Sequence, residues 1–234
     1  MAAGRGVRAV PYSKHLPKVL FEIDGVSLLE RNIKIMSELM NLNEIILIIS
    51  YMNEIIEDKI KDISKDIKAK IITKRIDGNF LTLGLLGGIA SLTDIQSQLQ
   101  DEFIMTLGDE FFLNPDHDKM LKMIRNTPDH HISCMIKKVY DPKDCLGNYG
   151  VVKRDDTLIE FNEKPEKVYD YFGLGVLSLT KKVIEDALSE TKKDSPRNFI
   201  NLLNDYVINP GVKAFETKSN YVNINSPTDL YLAR

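Results

Sequence analysis

The sequence contains little that is typical of a secreted, membrane-spanning or nucleic-acid-binding protein. Its two cysteines, Cys134 and Cys145, are too few for a disulfide framework, so we expect reduced thiols and a cytoplasmic protein. The longest apolar runs, such as residues 44–51, are far shorter than a membrane span. No apolar stretch follows Arg5 and Arg8, so we expect no signal peptide. The net charge of −3 argues against a broad nucleic-acid surface.

The remaining composition, 43% hydrophobic and 28% charged, suits one α/β domain over residues 1–234. Apolar spacing predicts a helix from Ser27 to Met40, with Ser27 as N-cap and Glu30 three residues later. The run EIILIIS at 44–50 predicts a strand buried on both faces. The same reasoning predicts helices at 52–63, 83–92, 115–126, 181–189 and 199–208, and strands at 69–73, 102–107, 131–139, 150–153, 158–162, 172–179 and 212–216. This alternation favours a mostly parallel, doubly wound sheet, which a hairpin at 150–162 makes mixed.

The first 18 residues form a loop rich in glycine and positive charge. Gly4 and Gly6 allow the backbone to approach an anion closely, with N–H groups directed at phosphate oxygens. Arg8 and Lys18 add positive charge, and the prolines stiffen the loop, which a solvated basic tail would not require. Such a site would stabilise the charge that develops when a nucleoside triphosphate is attacked at its α-phosphorus.

Two further motifs each contain a carboxylate in a position where it could bind a ligand. Gly108-Asp109 ends an apolar strand, where open α/β sheets bind ligands, and Asp109 could hold Mg²⁺. In Glu163-Lys164-Pro165, the carboxylate could bind sugar hydroxyls and the ammonium could bind a phosphate. Either motif could instead be an ordinary polar turn, and turn chemistry is also an alternative for Asn223 and Asn225.

The N-terminal loop resembles the signature of the sugar-1-phosphate nucleotidyltransferase family, G-x-G-x-R-x-x-P-x-[ST]-x-x-x-P-K. The matching residues are Gly4, Gly6, Arg8, Pro11, Ser13, Pro17 and Lys18. The resemblance runs from residue 1 to about residue 232. It implies a Rossmann-like, three-layer α/β/α fold with a mixed, mostly parallel sheet. The family usually has Thr or Ser where this chain has Val7.

The resemblance also implies a role for individual residues. The catalytic residues would be Arg8, Lys18 and Asp109. The nucleotide would be bound by Ala3, Gly4, Arg5, Gly6, Arg8, Lys18 and Thr82. The acceptor would be bound by Gly150, Glu163, Lys164 and Gly175. Asp109 and Asn223 would bind Mg²⁺, although Asn223 replaces an aspartate of the family and supplies no charge. Asp229 is expected to cap the last helix.

The expected reaction joins an NTP and a sugar 1-phosphate into an NDP-sugar and pyrophosphate. Leu81 replaces a glycine of the family, and the segment 172–176 lacks the family's Asn, so the base and sugar pockets differ. These departures leave open a cytidylyltransferase that acts on phosphocholine, another small phosphoester or a phosphonate. A non-catalytic nucleotide-binding regulatory module is an alternative of another class, and homo-oligomerisation stays open. A dinucleotide-dependent oxidoreductase is disfavoured because the third glycine of its motif is missing.

The segment before the loop departs from the family. Relatives have several apolar residues before Ala2-Ala3-Gly4, whereas this sequence starts at Met1. We therefore expect the first strand of the sheet to be missing.

Overall fold

The computed structural model describes residues 1–2, 12–39, 42–76, 78–126, 130–142, 149–163 and 165–233. The chain divides into two compact units. Unit 1 consists of Met1–Leu81, Thr106–Asp118 and Ser219–Arg234, and unit 2 consists of Thr82–Met105 and Lys119–Lys218. The single domain expected from the sequence stays a prediction.

Twelve strands and eight α-helices are numbered along the described residues. The strands are β1 Glu22–Ile23, β2 Val26–Ser27, β3 Glu44–Ile49, β4 Lys70–Arg75, β5 Glu102–Thr106, β6 Glu110–Phe112, β7 Ile132–Lys138, β8 Tyr149–Arg154, β9 Thr157–Glu163, β10 Tyr171–Thr180, β11 Val212–Glu216 and β12 Tyr221–Asn223. The helices are α1 Leu28–Ser37, α2 Asn53–Ile63, α3 Gly78–Thr82, α4 Gly84–Ala90, α5 His117–Arg125, α6 Lys181–Thr191, α7 Phe199–Ile208 and α8 Pro227–Leu232. 3₁₀ segments lie at Tyr12–Lys14, Lys18–Leu20, Ser64–Asp66 and Ser91–Gln98. None of the described helices has the length and apolarity needed to cross a bilayer.

Local signals account for several of these elements. The Ser27 hydroxyl accepts the Glu30 N–H at 3.2 Å, so the predicted cap of α1 is confirmed. The buried strand β3 is confirmed and pairs in parallel with β4 across the helix α2. The helix predicted at 83–92 is confirmed as α4, which continues as the 3₁₀ segment Ser91–Gln98. Gly84, with a φ of 56°, separates it from α3, which was not predicted.

The largest sheet has six strands in the order β5-β10-β7-β11-β9-β8, and β10 also pairs with β8. A mixed sheet is therefore confirmed. Of the strand pairs with a described register, two are parallel and six are antiparallel, so the prediction of a mostly parallel sheet is wrong for these pairs. For β1–β2 and for β8–β9 the physical reason is a connection of two residues, whereas a parallel pair needs a long crossover. The three-layer arrangement stays a prediction.

Unit 1 brings together segments that are far apart in the sequence. The strands β6 and β12 pair antiparallel, with Asn223 opposite Glu110. They pack on a buried apolar cluster made by Phe21, Ile23, Leu28, Phe111, Ile224 and Ala233. This packing sets the backbone on both sides of Asp109.

The first two residues lie beside β3. Ala2 forms a parallel bridge with Ile49. The Met1 amino group donates to the Thr106 carbonyl at 2.5 Å, and the Met1 carbonyl accepts the Gly108 N–H at 2.7 Å. Residues 1–2 therefore link β3 to the end of β5.

Candidate active site

Part of the predicted site lies outside the described residues. The residues concerned are Ala3, Gly4, Arg5, Gly6, Arg8 and Lys164. Their roles stay predictions. Residues 1–2 and 12–18 of the loop are described, including Lys18, the last residue of the signature.

Lys18 is anchored by a short buried turn. It opens the 3₁₀ turn Lys18–Leu20, in which Val19 and Leu20 are buried. The Phe21 N–H closes the turn on the Lys18 carbonyl at 3.0 Å. Only 12% of the Lys18 side chain is exposed, so its ammonium is a positioned charge.

The Lys18 ammonium contacts two oxygens from distant parts of the chain. Its Nζ lies 2.5 Å from Oδ2 of Asp109 and 3.3 Å from Oδ1 of Asn225. The structure thus places two of the residues predicted to be catalytic, Lys18 and Asp109, in direct contact. The Asp109 side chain remains 23% exposed, so it can still be reached from solvent.

The backbone around Asp109 is closely packed. The Asp109 carbonyl accepts the Ile224 N–H at 2.9 Å. A Cβ added to Gly108 would lie 2.7 Å from the Met1 carbonyl oxygen and 2.8 Å from Cγ1 of Val19. Because no side chain fits there, glycine is required before Asp109, which a simple exposed turn would not demand.

Asn225 is a site residue that the sequence assigned only to turn chemistry. The Asp229 Oδ2 accepts the backbone N–H groups of Asn225 at 2.8 Å and Ser226 at 2.7 Å. Asp229 also belongs to a capping box at the start of α8, so its predicted capping role is confirmed. The signal for Asn225 was its place directly before this box, which fixes its backbone and aims its side chain at Lys18.

Asn223, the second predicted magnesium ligand, lies beside a buried acidic side chain. It is opposite Glu110 in the β6–β12 pair, and Glu110 is buried.

Burial raises the pKa of Tyr221 well above its usual value, and the charges of Glu110 and Asp109 raise it further. The Tyr221 hydroxyl therefore stays protonated.

The donor atoms here suit a hard cation. Carboxylate and amide oxygens are the ligands that Mg²⁺ prefers, and Asp109 lies next to the residue that faces Asn223. Within the described parts of the chain, no three His, Cys, Asp or Glu side chains are grouped as a metal site. A magnesium ion held by Asp109 and Asn223 would therefore need further oxygens from the nucleotide and water.

In unit 2, Glu163 ends β9. Its Oε2 accepts the Asn198 side-chain amide at 3.3 Å, and Asn198 in turn caps α7 by accepting the Asn201 N–H at 2.9 Å. The exposed Glu163 carboxylate is thus tied to a helix start, while its contact with an acceptor stays a prediction.

Gly150 has a packing role that the sequence did not reveal. A Cβ at this position would overlap the Tyr169 ring and would lie 2.8 Å from Cγ of Pro165. Tyr169 is held in turn by Glu160, whose Oε1 accepts its hydroxyl at 2.6 Å. That hydrogen bond is the main reason why the pKa of Glu160 is lowered. Gly150 therefore sets the position of the residue that follows Glu163 and Lys164.

The two remaining predicted site residues are Gly175, at an irregularity in a strand pair, and Thr82, at the end of a helix. Gly175 falls where the β10–β7 register shifts, between Gly173 and Leu177. Thr82 is the exposed last residue of α3. Their contacts with substrate stay predictions.

Residues 1–221 match the nucleotidyl transferase family. The chain belongs to this family. The resemblance predicted from the N-terminal loop is therefore confirmed, and the match also covers the Gly108-Asp109 and Glu163-Lys164-Pro165 motifs.

The chain is also similar to individual proteins over most of its length. The chain is 27% identical over 236 residues to the bifunctional protein GlmU of Methanocaldococcus jannaschii, covering 98% of this chain and 51% of that protein. It is 26% identical over 206 residues to the mannose-1-phosphate guanylyltransferase regulatory subunit alpha of Dictyostelium discoideum, covering 86% of this chain and 48% of that protein. The chain thus spans about half the length of the curated relatives it matches. The inositol-1-phosphate CTP transferase of T. maritima shares the fold, with a TM-score of 0.76 and 22% identity over 99% of this chain and 92% of that one.

Proposed function

We propose that this nucleotidyl transferase transfers a nucleoside monophosphate from an NTP to a sugar 1-phosphate, forming an NDP-sugar and pyrophosphate. The observation that carries the proposal is the contact between Lys18 and Asp109, 2.5 Å apart. It combines an ammonium suited to phosphate with a carboxylate suited to a hard cation. Similarity to proteins named for mannose 1-phosphate and inositol 1-phosphate supports a phosphate monoester as acceptor.

The proposed reaction is a single displacement at the α-phosphorus. An oxygen of the acceptor phosphate forms a bond to this phosphorus. The bond from the same phosphorus to the oxygen that bridges to the β-phosphate breaks, and its electron pair leaves with pyrophosphate. A phosphate monoester has a second pKa of about 6, so the acceptor is already anionic near neutral pH and no general base is required.

The residues of this chain supply charge and alignment. Lys18 and Arg8 would offset the charge of the triphosphate, and Lys164 would offset that of the acceptor phosphate. Glu163 would accept hydrogen bonds from sugar hydroxyls. Positive groups placed at the oxygens where charge develops stabilise the transition state.

Asp109 and Asn223 would hold Mg²⁺, which when bound adds positive charge next to the phosphate oxygens. The amide of Asn223 adds no negative charge, so Asp109 would carry the electrostatic part of the attraction. Lys18 occupies one Asp109 oxygen at 2.5 Å, and we expect nucleotide phosphates to draw this ammonium away.

Two alternatives are favoured by particular observations. Leu81 and the segment 172–176, which lacks the family's Asn, depart from the family in the base and sugar pockets, and the fold is shared with a CTP-dependent transferase. These features favour a cytidylyltransferase acting on another small phosphoester. Similarity to a protein named a regulatory subunit favours a nucleotide-binding module without catalysis.

A pyrophosphate-release screen tests the proposal. Four NTPs are combined with sugar 1-phosphates, inositol 1-phosphate and phosphocholine, with and without Mg²⁺. Release with a sugar 1-phosphate supports the proposal, and release only with another phosphoester supports the cytidylyltransferase. No release from any pair, together with calorimetric binding of an NTP, supports the regulatory module.

A further inference from the structure

Asn32 is a polar residue on the buried face of α1. It lies one helical turn after Leu28 and one turn before Met36, and all three residues are buried. Asn32 itself is 7% exposed. A buried amide is destabilising unless it forms hydrogen bonds, so the use of this side chain requires an explanation.

The Asn32 amide bonds to the backbone on both sides of Asp109. Its Nδ2 donates to the Gly108 carbonyl at 3.3 Å and to the Glu110 carbonyl at 3.2 Å. An asparagine amide nitrogen carries two hydrogens, one for each carbonyl. A leucine at this position would have a similar shape but no hydrogen-bond donor for the carbonyls. An aspartate would place acceptor oxygens against the two carbonyl oxygens, which can only accept.

These bonds complete a row of accepting carbonyls. The Asp109 carbonyl, between the two, accepts the Ile224 N–H at 2.9 Å. Three consecutive carbonyl groups at 108–110 are therefore each held by another part of unit 1. With its backbone fixed in this way, Asp109 directs its carboxylate to the position where it contacts Lys18.

We propose that Asn32 is a positioning residue that fixes the Asp109 carboxylate for metal binding. The inference rests on the proposed function, because it gives Asp109 the role of magnesium ligand. Groups that orient a metal ligand without touching the metal typically change metal affinity or activity about 10–100-fold when they are removed.

The test measures Mn²⁺ binding to Asn32→Leu by electron paramagnetic resonance, without nucleotide and well below the unfolding temperature. We expect the Mn²⁺ dissociation constant to rise about 10–100-fold. The matched control is Asn204→Leu. Asn204 donates its side-chain amide to the Phe161 carbonyl at 2.9 Å in unit 2, so the same substitution removes the same kind of bond there. The control should leave Mn²⁺ binding unchanged.

A second readout separates positioning from general destabilisation. The Mg²⁺ concentration that gives half-maximal pyrophosphate release should rise in Asn32→Leu, whereas KM for the acceptor should not. If Asn32→Leu does not fold, Asn32→Ser is measured in its place, because its smaller side chain leaves space for water at both carbonyls.

Unchanged Mn²⁺ affinity in the folded variant would overturn the inference, as would an equal loss in Asn204→Leu. A parent protein that binds no Mn²⁺, either alone or with an unreactive NTP analogue, also overturns it, whether or not pyrophosphate is released. Pyrophosphate release by the parent protein tests the proposed function separately. Failure of the Asn32 inference can therefore be distinguished from failure of the proposed function.

Discussion

The Lys18 ammonium lies 2.5 Å from the Asp109 carboxylate, so a residue proposed to bind phosphate contacts a residue proposed to bind metal. The contact uses one of the two carboxylate oxygens with which Asp109 could bind magnesium. Lysine and metal would therefore compete for Asp109, and the nucleotide phosphates would offer the ammonium an alternative partner. This competition gives opposite expectations for turnover and for metal affinity when Lys18 is removed.

Replacing Lys18 with alanine should lower turnover about 10²–10³-fold, by analogy with the loss of one preorganised donor. The same variant should bind Mn²⁺ more tightly in the absence of nucleotide, because the competing ammonium is gone. Pyrophosphate release and Mn²⁺ titration measure the two effects. The control is Lys34→Ala, since Lys34 forms an exposed helix salt bridge with Glu30, and such pairs contribute about 0–1 kcal/mol. Near-normal turnover in folded Lys18→Ala would contradict the mechanism.

Replacing Gly150 with alanine should displace Tyr169 and Pro165, which leave no room for a Cβ. Overpacking of this kind typically costs about 1–3 kcal/mol, which urea denaturation measures. KM for the acceptor should rise, because Pro165 directly follows Glu163 and Lys164, while KM for the NTP should stay the same. An equal rise in both constants would argue against an acceptor role for this segment.

Glu190 should contribute acid-sensitive stability. Its Oε2 lies 2.6 Å from Nζ of Lys193 and 3.0 Å from Nη2 of Arg197. Hydrogen bonds, first from Arg197 and then from Lys193, lower its pKa from 4.5 to about 2. Because the folded pKa is the lower one, this stability is fully present above pH 4.5 and is lost as the pH falls toward 2.

Glu190→Gln should therefore lower the free energy of unfolding at pH 7 by about 1.5–3 kcal/mol and weaken its pH dependence below 4.5. Chemical denaturation at several pH values measures both effects. Glu185→Gln is the control, because Glu185 lies on the same helix and accepts an exposed hydrogen bond from the Gln96 side-chain amide at 3.1 Å. Equal losses in both variants would refute the assignment.

His117 should make the free energy of unfolding depend on pH in a higher range than Glu190 does. Burial lowers its pKa from 6.5 to about 4, so the unfolded chain binds a proton there before the folded one does. The free energy of unfolding should fall between pH 6.5 and 4, by at most about 1.4 kcal/mol per pH unit from this group. His117→Gln should remove that slope in a denaturation series. A parent and a variant with parallel curves would show that His117 does not contribute.

Local patterns in the sequence predicted the elements whose causes are local. The Ser27 cap depends on Glu30, three residues away, and α7 and β11 begin and end where their apolar patterns do. The interruption at Gly84 was not predicted, because glycine allows a positive φ without requiring it.

The long-range pairings could not be predicted in the same way. The strands β6 and β12 have three residues each and are separated by more than a hundred positions, so neither carries enough periodicity to be recognised alone. The contact between Asn225 and Lys18 follows from that pairing. Asn32 did carry a signal, a polar residue within an apolar helix face, but its partners become visible only in three dimensions.

The three separate stretches of unit 1 have a consequence for biosynthesis. Lys18 and Asp109 are translated early, yet the strand that pairs beside Asp109 begins at Tyr221. Since chains are made from the N-terminus, the ribosome must release the segment from Ser219 onward before this unit can close. Unit 2 ends at Lys218, so all of its residues are synthesised before that segment. The Lys18–Asp109–Asn225 contacts can therefore form only after every residue of unit 2 has been synthesised.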